Sequence, residues 1–383
     1  MKKPIKDMSL MEDKSDNIVM FYPHVSELAK SLVMETLDSR WIGQGPKVKL
    51  FEEEFSKKFG SSSPAIAVGS GTDALHLSYM LANLEPGDEV IAPVFTCTAT
   101  NIPFLYMGVK INFADINPET LNIDTTHVRQ LMNNKVKAIV CVHYGGLPCD
   151  MDDLQSIENE WNIPIIEDAA HAVGATYKGH NIGNISEFTI FSFQAIKHIT
   201  TGDGGMLIIK DENLLDKADR IRWFGIDRKS KQAGTWENDI KEVGYKYQMT
   251  DIAAAMGIAS LEEFDQISSL RKTLFKTYED ELSNLDDVKV VGGGFKDREH
   301  GAWLFTILVN NRYKLQEKLR SNNIESNQVH FRNDRYSIFK EFTDGKVFPN
   351  MDRVEDDYLV LPLHTMMDKK DVIRICSIIK SGW

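Results

Sequence analysis

The chain has no long hydrophobic run. No segment approaches the roughly 18 consecutive apolar residues that a membrane-crossing helix needs. The opening MKKPIKDMSLMEDKSDN has early lysines but no apolar core of signal-peptide length, so a cytoplasmic protein is expected. Positive charge is in deficit: 44 Lys and Arg against 56 Asp and Glu leave a formal charge of −12. A nucleic-acid or anionic-membrane surface needs concentrated cations, so neither partner is expected, and a phosphorylated ligand must be held by local donors. Cysteine is scarce. Cys97, Cys141, Cys149 and Cys376 show no metal-ligand spacing, so no metal site is expected, and they lie mostly inside apolar runs, which reads as buried reduced thiols. Internal repeats and low-complexity segments are absent.

What is present is the composition of an ordinary globular protein, 42% hydrophobic and 26% charged over 383 residues. That length suggests two domains. The most informative stretch runs from Ile165 to Met206. It opens with IIEDAAHA, an apolar run ending in Glu167 and Asp168 with His171 close behind. It closes with FTIFSFQAIKHITTGDGGM, where Lys197 follows a second apolar run, Phe188 to Phe193. Short apolar β-type runs read as buried strands, so Asp168 and Lys197 are both placed where strands end, the region open α/β sheets use for chemistry. An acid and an amine so placed suit pyridoxal phosphate (PLP), which a Lys carries as a Schiff base while an acid partners the ring nitrogen.

In chain order, residues 25–37 show helical spacing with Ser26 as a cap, and a turn-rich WIGQGP leads to a second helix, 48–59. Residues 64–68 form a short strand, followed by GSGTDALHL opening a helix that reaches Leu84. Strand, glycine turn and helix N-terminus make an anion-binding arrangement with Gly71, Thr72 and Asp73 in the first turn. Taken alone, a glycine turn with a capping Asp is the better explanation, and a lone GSGT is weak evidence. Strands at 89–93, 109–114, 136–144 and 163–168 then alternate with helices at 96–106, 125–132 and 151–160, which implies a mostly parallel sheet. A further strand spans 204–209. The pattern weakens beyond Leu214, with an aromatic and basic RWFGIDR at 222–228. A long helix from Asp251 to Arg271 and beyond links to a smaller α+β unit with a strand at 302–309 and helices at 312–321 and 372–379. The expected division is a large domain over 1–250 and a linking helix with a smaller domain over 251–383.

These pieces together resemble the DegT/DnrJ/EryC1/StrS family of PLP-dependent nucleotide-sugar aminotransferases. The resemblance rests on WIGQGPKVKLFEEEF, GSGTDALHL, EDAAHAVGATYKGHNIGNISEFTIFSF, the Lys197 loop with TTGDGG, and LPLH at 361–364. It implies the aspartate-aminotransferase fold (PLP fold type I), α/β, with a large domain built on a mostly parallel mixed sheet and a smaller C-terminal α+β domain. It assigns Lys197 as covalent tether and proton carrier, and Asp168 as partner of the ring nitrogen. His171 falls near the ring hydroxyl, and Ser192, Thr72, Asp73 and Gly71 fall around the phosphate. Two departures stand out. Where the family stacks an aromatic residue on the ring, this chain has Cys97 in Phe95-Thr96-Cys97. Where the family's GYNYR sends an Asn to the neighbouring subunit's cofactor phosphate, this chain reads Gly244-Tyr245-Lys246-Tyr247-Gln248, leaving Lys246 to make that contact.

The resemblance further implies a homodimer with active sites at the interface, glutamate as amino donor and a nucleotide-linked 4-keto-6-deoxyhexose as acceptor. The product would be a 4-amino-4,6-dideoxy sugar of the viosamine or perosamine kind, for surface glycan biosynthesis. His330 and Arg332, in NQVHFRND, and Arg228, in RWFGIDR, are the candidates for sugar selection. The alternatives are a 3-keto sugar or cyclitol aminotransferase, a PLP-dependent sugar dehydratase, which carries His in place of the tethering Lys, and a PLP-binding regulator without catalysis.

Overall fold

The computed structural model describes residues 16–60, 63–237 and 239–383. Most of the opening segment from which a cytoplasmic location is expected thus lies outside the described residues. No described helix is long and apolar enough to cross a membrane.

Seven strands form the principal sheet, in the order Ala65–Val68, Gly205–Ile209, Phe188–Ser192, Ile165–Asp168, Val136–Val142, Glu89–Pro93 and Lys110–Ala114. From Phe188–Ser192 outward to Lys110–Ala114, neighbours are parallel. Gly205–Ile209 instead runs antiparallel to both of its neighbours. The reason is local. Residues 193–204 contain no crossover helix, and a chain that returns without one can only pair antiparallel. That return loop carries Lys197 and begins where the parallel strands end. Every residue of Ile165–Asp168 and Phe188–Ser192 is buried, as expected for central strands covered on both faces.

Two helix starts position the loops around the sheet. In Gly71–Leu81, the Ser70 hydroxyl caps the helix by accepting from the Asp73 N–H at 3.0 Å. Pro46–Phe59 begins after Gly45, which has no capping side chain. Its cap comes from far away in sequence: the Asp251 carboxylate accepts from the N–H groups of Gly45 at 2.7 Å, Val48 at 3.0 Å and Lys47 at 3.1 Å. Asp251 is 1% exposed, so these three donors and the dipole of the helix stand in for lost water.

The single long helix expected from Asp251 onward is two, Asp251–Glu262 and Phe264–Leu282, broken at Glu263. A second sheet of three antiparallel strands, Val288–Val290, Phe305–Val309 and Tyr358–Leu361, packs with Phe264–Leu282, Arg312–Ser321 and Lys369–Lys380 around their own apolar core. Ile18 belongs to that core: it pairs with Ile324, and its N–H donates to the Asn323 carbonyl at 2.9 Å. Ile18, near the start of the described residues, therefore packs into the core of this smaller sheet.

Asp251→Ala removes the only side-chain acceptor seen, among the described residues, at the start of Pro46–Phe59 and leaves one buried and two half-buried donors without it. We expect a loss of about 2–4 kcal/mol in urea unfolding. A change under about 0.5 kcal/mol, the range of an ordinary surface substitution, would show that the cap is dispensable.

Candidate active site

The ends of Ile165–Asp168 and Phe188–Ser192, the start of Gly71–Leu81 and the 193–204 loop surround a cavity of about 340 Å³. Gly71, Thr72, Cys97, Asp168, His171, Ser192, Lys197 and His330 line it, so the structure brings these candidates together. The first turn of Gly71–Leu81 has N–H groups without intrahelical acceptors, and Gly71 and Thr72 present that turn to the cavity. Gly71 must be glycine: a Cβ there would stand 2.9 Å from the Ser192 Cβ. Close approach of the turn to Ser192 makes a cradle of backbone and hydroxyl donors suited to a phosphate.

Asp168 is 4% exposed. Burial pushes its pKa upward, opposed by hydrogen bonds from the Thr100 hydroxyl and the Ala170 N–H, by Lys197 and by His143. Lys197, half-buried, is held down to about 7, mainly by loss of water around the ammonium; the nearby Asp168 pulls the other way. Its Nζ lies 3.5 Å from the centroid of the Trp303 ring, a cation–π distance. The outcome is an amine able to be neutral near neutral pH, beside an acid that keeps a reason to ionise.

Trp303 is the residue that sequence reading missed. It stacks on His171 at 3.8 Å between ring centroids, and its indole N–H donates to the Ile196 carbonyl at 3.1 Å. In sequence it falls inside the strand expected at 302–309, with nothing to mark it as a site residue. The cue to its placement is the turn Tyr144–Gly146, to which residues 301–304 are bonded through Gly145 and Gly146. Gly146 has φ 107°, and a Cβ there would come 2.9 Å from the His171 carbonyl.

His171 and His330 stack at 5.1 Å with 3.3 Å between their Nε2 atoms. The Gly145 N–H points at His171 Nδ1 from 3.3 Å, so Nδ1 accepts and the ring proton sits on Nε2, directed at His330. Burial holds both rings neutral, His171 well below the usual range and His330 at about 3.

Four candidates do not line the cavity. Asp73 turns back on its own loop, toward Gly69 and Ser70, and burial raises it to about 6. Arg332, only 4% exposed, is committed to Asp334 at 2.7 Å, Asp352 at 2.5 Å and Glu355 at 3.0 Å; it braces its loop. Arg228 lies in a separate cavity of about 520 Å³ with Trp41 and Trp223, and its guanidinium donates to the Gln44 carbonyl at 2.6 Å. Lys246 is exposed, with its Nζ 5.5 Å from the Phe224 ring centroid. Cys97 also departs from expectation: its thiol is exposed, unlike the buried Cys141, Cys149 and Cys376. Below the sheet end, Cys141, His143 and Cys149 place their ligand atoms within 4.8 Å of one another, a proximity invisible in their spacing. His143 has both nitrogens engaged, Nε2 with Glu167 at 2.9 Å and Nδ1 with the Cys149 N–H at 3.0 Å, so the trio is a hydrogen-bonded cluster.

Comparison with known proteins identifies this arrangement. Residues 23–380 match the DegT/DnrJ/EryC1/StrS aminotransferase family. The chain is 34% identical to the spore coat polysaccharide biosynthesis protein SpsC of Bacillus subtilis, over 89% of this chain and 90% of that protein. It is 32% identical to the GDP-perosamine synthase of Escherichia coli O157:H7, over 94% of this chain and 96% of that one. Among solved structures, the PLP form of Spr1654 from Streptococcus pneumoniae superimposes with a TM-score of 0.88 at 28% identity, covering 95% of this chain and 98% of that one. The cofactor is PLP, and the cavity fits it: a donor cradle at the Gly71 turn, a carboxylate at Asp168 and an amine at Lys197.

Because only the neutral amine attacks an aldehyde, capture of PLP by the cofactor-free protein should quicken as pH rises and level off above about 7, the value for Lys197. Stopped-flow absorbance measures this. A rate still climbing tenfold per pH unit beyond about 9 would mean an ordinary exposed lysine.

Proposed function

Since the chain belongs to the DegT/DnrJ/EryC1/StrS aminotransferase family, we propose that it transfers the amino group of glutamate to a nucleotide-linked 4-keto-6-deoxyhexose, forming a 4-amino-4,6-dideoxy sugar. The observation that carries the reading is the facing of Asp168 and Lys197 across one cavity, with the amine held to about 7. The similarity to GDP-perosamine synthase and the TTGDGG form of the Lys197 loop support a 4-amino product. The similarity to SpsC supports a place in surface polysaccharide synthesis.

Bound at this site, PLP supplies the electron sink that transamination requires. The chain's own groups supply the rest. The Gly71–Thr72 turn and Ser192 hold the phosphate by N–H and O–H donation. Asp168, ionised, holds a proton at the ring nitrogen. Lys197, once its amine is displaced by the incoming donor, lifts a proton at the substrate carbon and returns it nearby. A base works best with a pKa near the working pH, and burial puts it there. His171, whose Nε2–H is directed at His330, would lie near the ring hydroxyl, and His330 beside it would face the acceptor sugar. Trp303 lies against the Lys197 amine and attracts it in its protonated form. We further propose a homodimer in which Lys246 reaches the partner's cofactor phosphate. Exposed apolar side chains at Val25, Met34, Leu37, Trp41, Ile42 and Leu50 support a self-association surface in this part of the chain.

Incubation with PLP, glutamate and dTDP-, GDP- or UDP-linked 4-keto-6-deoxy sugars, followed by mass analysis of the products, tests the reading. A mass gain matching ketone-to-amine exchange on one of them is expected, with positional assignment by NMR. Amination at C3, or of none of the panel, overturns it. Lys197→Ala should lose the absorption of covalently held cofactor and all repeated turnover; retained multiple turnover would remove Lys197 from its role.

A further inference from the structure

We propose that Thr100 is a positioning residue that, with Thr96 behind it, keeps Asp168 ionised against the cofactor ring nitrogen. This rests on the placement of PLP in the Asp168 cavity.

Thr100 stands in the first turn of Thr98–Met107 and is fully buried. A threonine inside a helix usually turns its hydroxyl to the preceding turn of its own backbone. Thr100 does not. Its Oγ1 donates to Asp168 Oδ2 at 2.8 Å, across 68 positions of sequence. Thr96 Oγ1 lies 2.9 Å from Thr100 Oγ1. An ionised carboxylate only accepts, so the Thr100 proton must point to Asp168 and the Thr96 proton to Thr100. The chain of hydroxyls then runs one way, and such chains strengthen each member. Thr100 is itself anchored, since the Tyr79 hydroxyl donates to its carbonyl at 2.9 Å. The second oxygen of Asp168 accepts from the Ala170 N–H at 3.1 Å.

Other groups also face Asp168. Lys197 comes from the loop after Phe188–Ser192, Cys141 and His143 from the end of Val136–Val142, and Tyr79 from Gly71–Leu81. Tyr79 and Cys141 are neutral at ordinary pH, because burial pushes the phenol well up and the Cys149 contact and burial do the same to the thiol. His143 is tied to Glu167. Lys197 is the nearby amine, and it is drawn into the covalent tether. Thr100 is the side-chain donor to Asp168 that remains the same throughout turnover.

The test is the equilibrium affinity of cofactor-free protein for PLP across acid to neutral pH, read by absorbance or fluorescence. Alongside PLP, an analogue with C–H in place of the ring nitrogen is measured. Affinity for PLP falls on the acid side as Asp168 takes up a proton. Without the donated hydrogen bond its ionised form is less stable, so Thr100→Val should move this fall upward by about one pH unit. Thr100→Ser should restore the wild-type curve, and the analogue should bind wild type and Thr100→Val alike. Should Thr100→Val not fold, Thr96→Val carries the test, with a smaller shift of the same sign. An unmoved acid limb, or a uniform weakening of PLP and analogue at every pH, overturns the proposal. Failure of wild type to bind PLP at all would instead overturn the cofactor placement on which it rests.

Discussion

Everything at this site depends on how an acid and an amine share one poorly hydrated space. Burial disfavours charge on both, raising Asp168 and lowering Lys197, while their mutual attraction favours charge on both. Burial is the larger influence on each, and the surroundings temper it unequally. Asp168 receives hydrogen bonds from Thr100 and Ala170, whereas Lys197 has the face of Trp303 and, among the described residues, no carboxylate within ion-pair distance. The donated hydrogen bonds offset part of the pull of burial on the acid, while loss of water around Lys197 leaves the amine able to release its proton.

The architecture holds this imbalance in place. Asp168 is fixed by a central strand with neighbours on both sides, and its backbone carbonyl accepts from the His143 N–H at 3.1 Å. Lys197 is in a loop, but the loop is stitched at each end: the Thr201 N–H donates to the Phe193 carbonyl and the Phe193 N–H to the Gly204 carbonyl. Trp303 comes from the far side, carried by a segment bonded to the Tyr144–Gly146 turn. The fold brings three distant pieces of chain to one point with regular backbone behind each of them.

Much of this was legible in the sequence, for identifiable reasons. Asp168 and Lys197 follow apolar β-type runs, and strand ends are where such sheets work. Thr100 was not legible because a threonine in FTCTATN looks like any other near a helix start; its importance lies in an acceptor 68 positions away. Arg332 stood out as a basic residue in a polar, aromatic loop, and its ion pairs could not be read because Asp352 and Glu355 lie in a separate stretch. The break at Glu263 was hidden because no Gly or Pro marks it. Cys97 was read as buried from its apolar neighbours, yet it sits where the chain turns from strand into helix and opens to the cavity.

The carboxylate of Asp251 has an implication for the chain as a whole. It opens the segment leading to the smaller sheet, yet its oxygens are held by backbone from residues 45 to 48, while Ile18 lies in the core of that smaller sheet. The two lobes are thus laced together in both directions, like a seam sewn with crossing threads. Scission between positions 250 and 251 would not yield two independent folding units. Each fragment would lose contacts that its interior makes across that point.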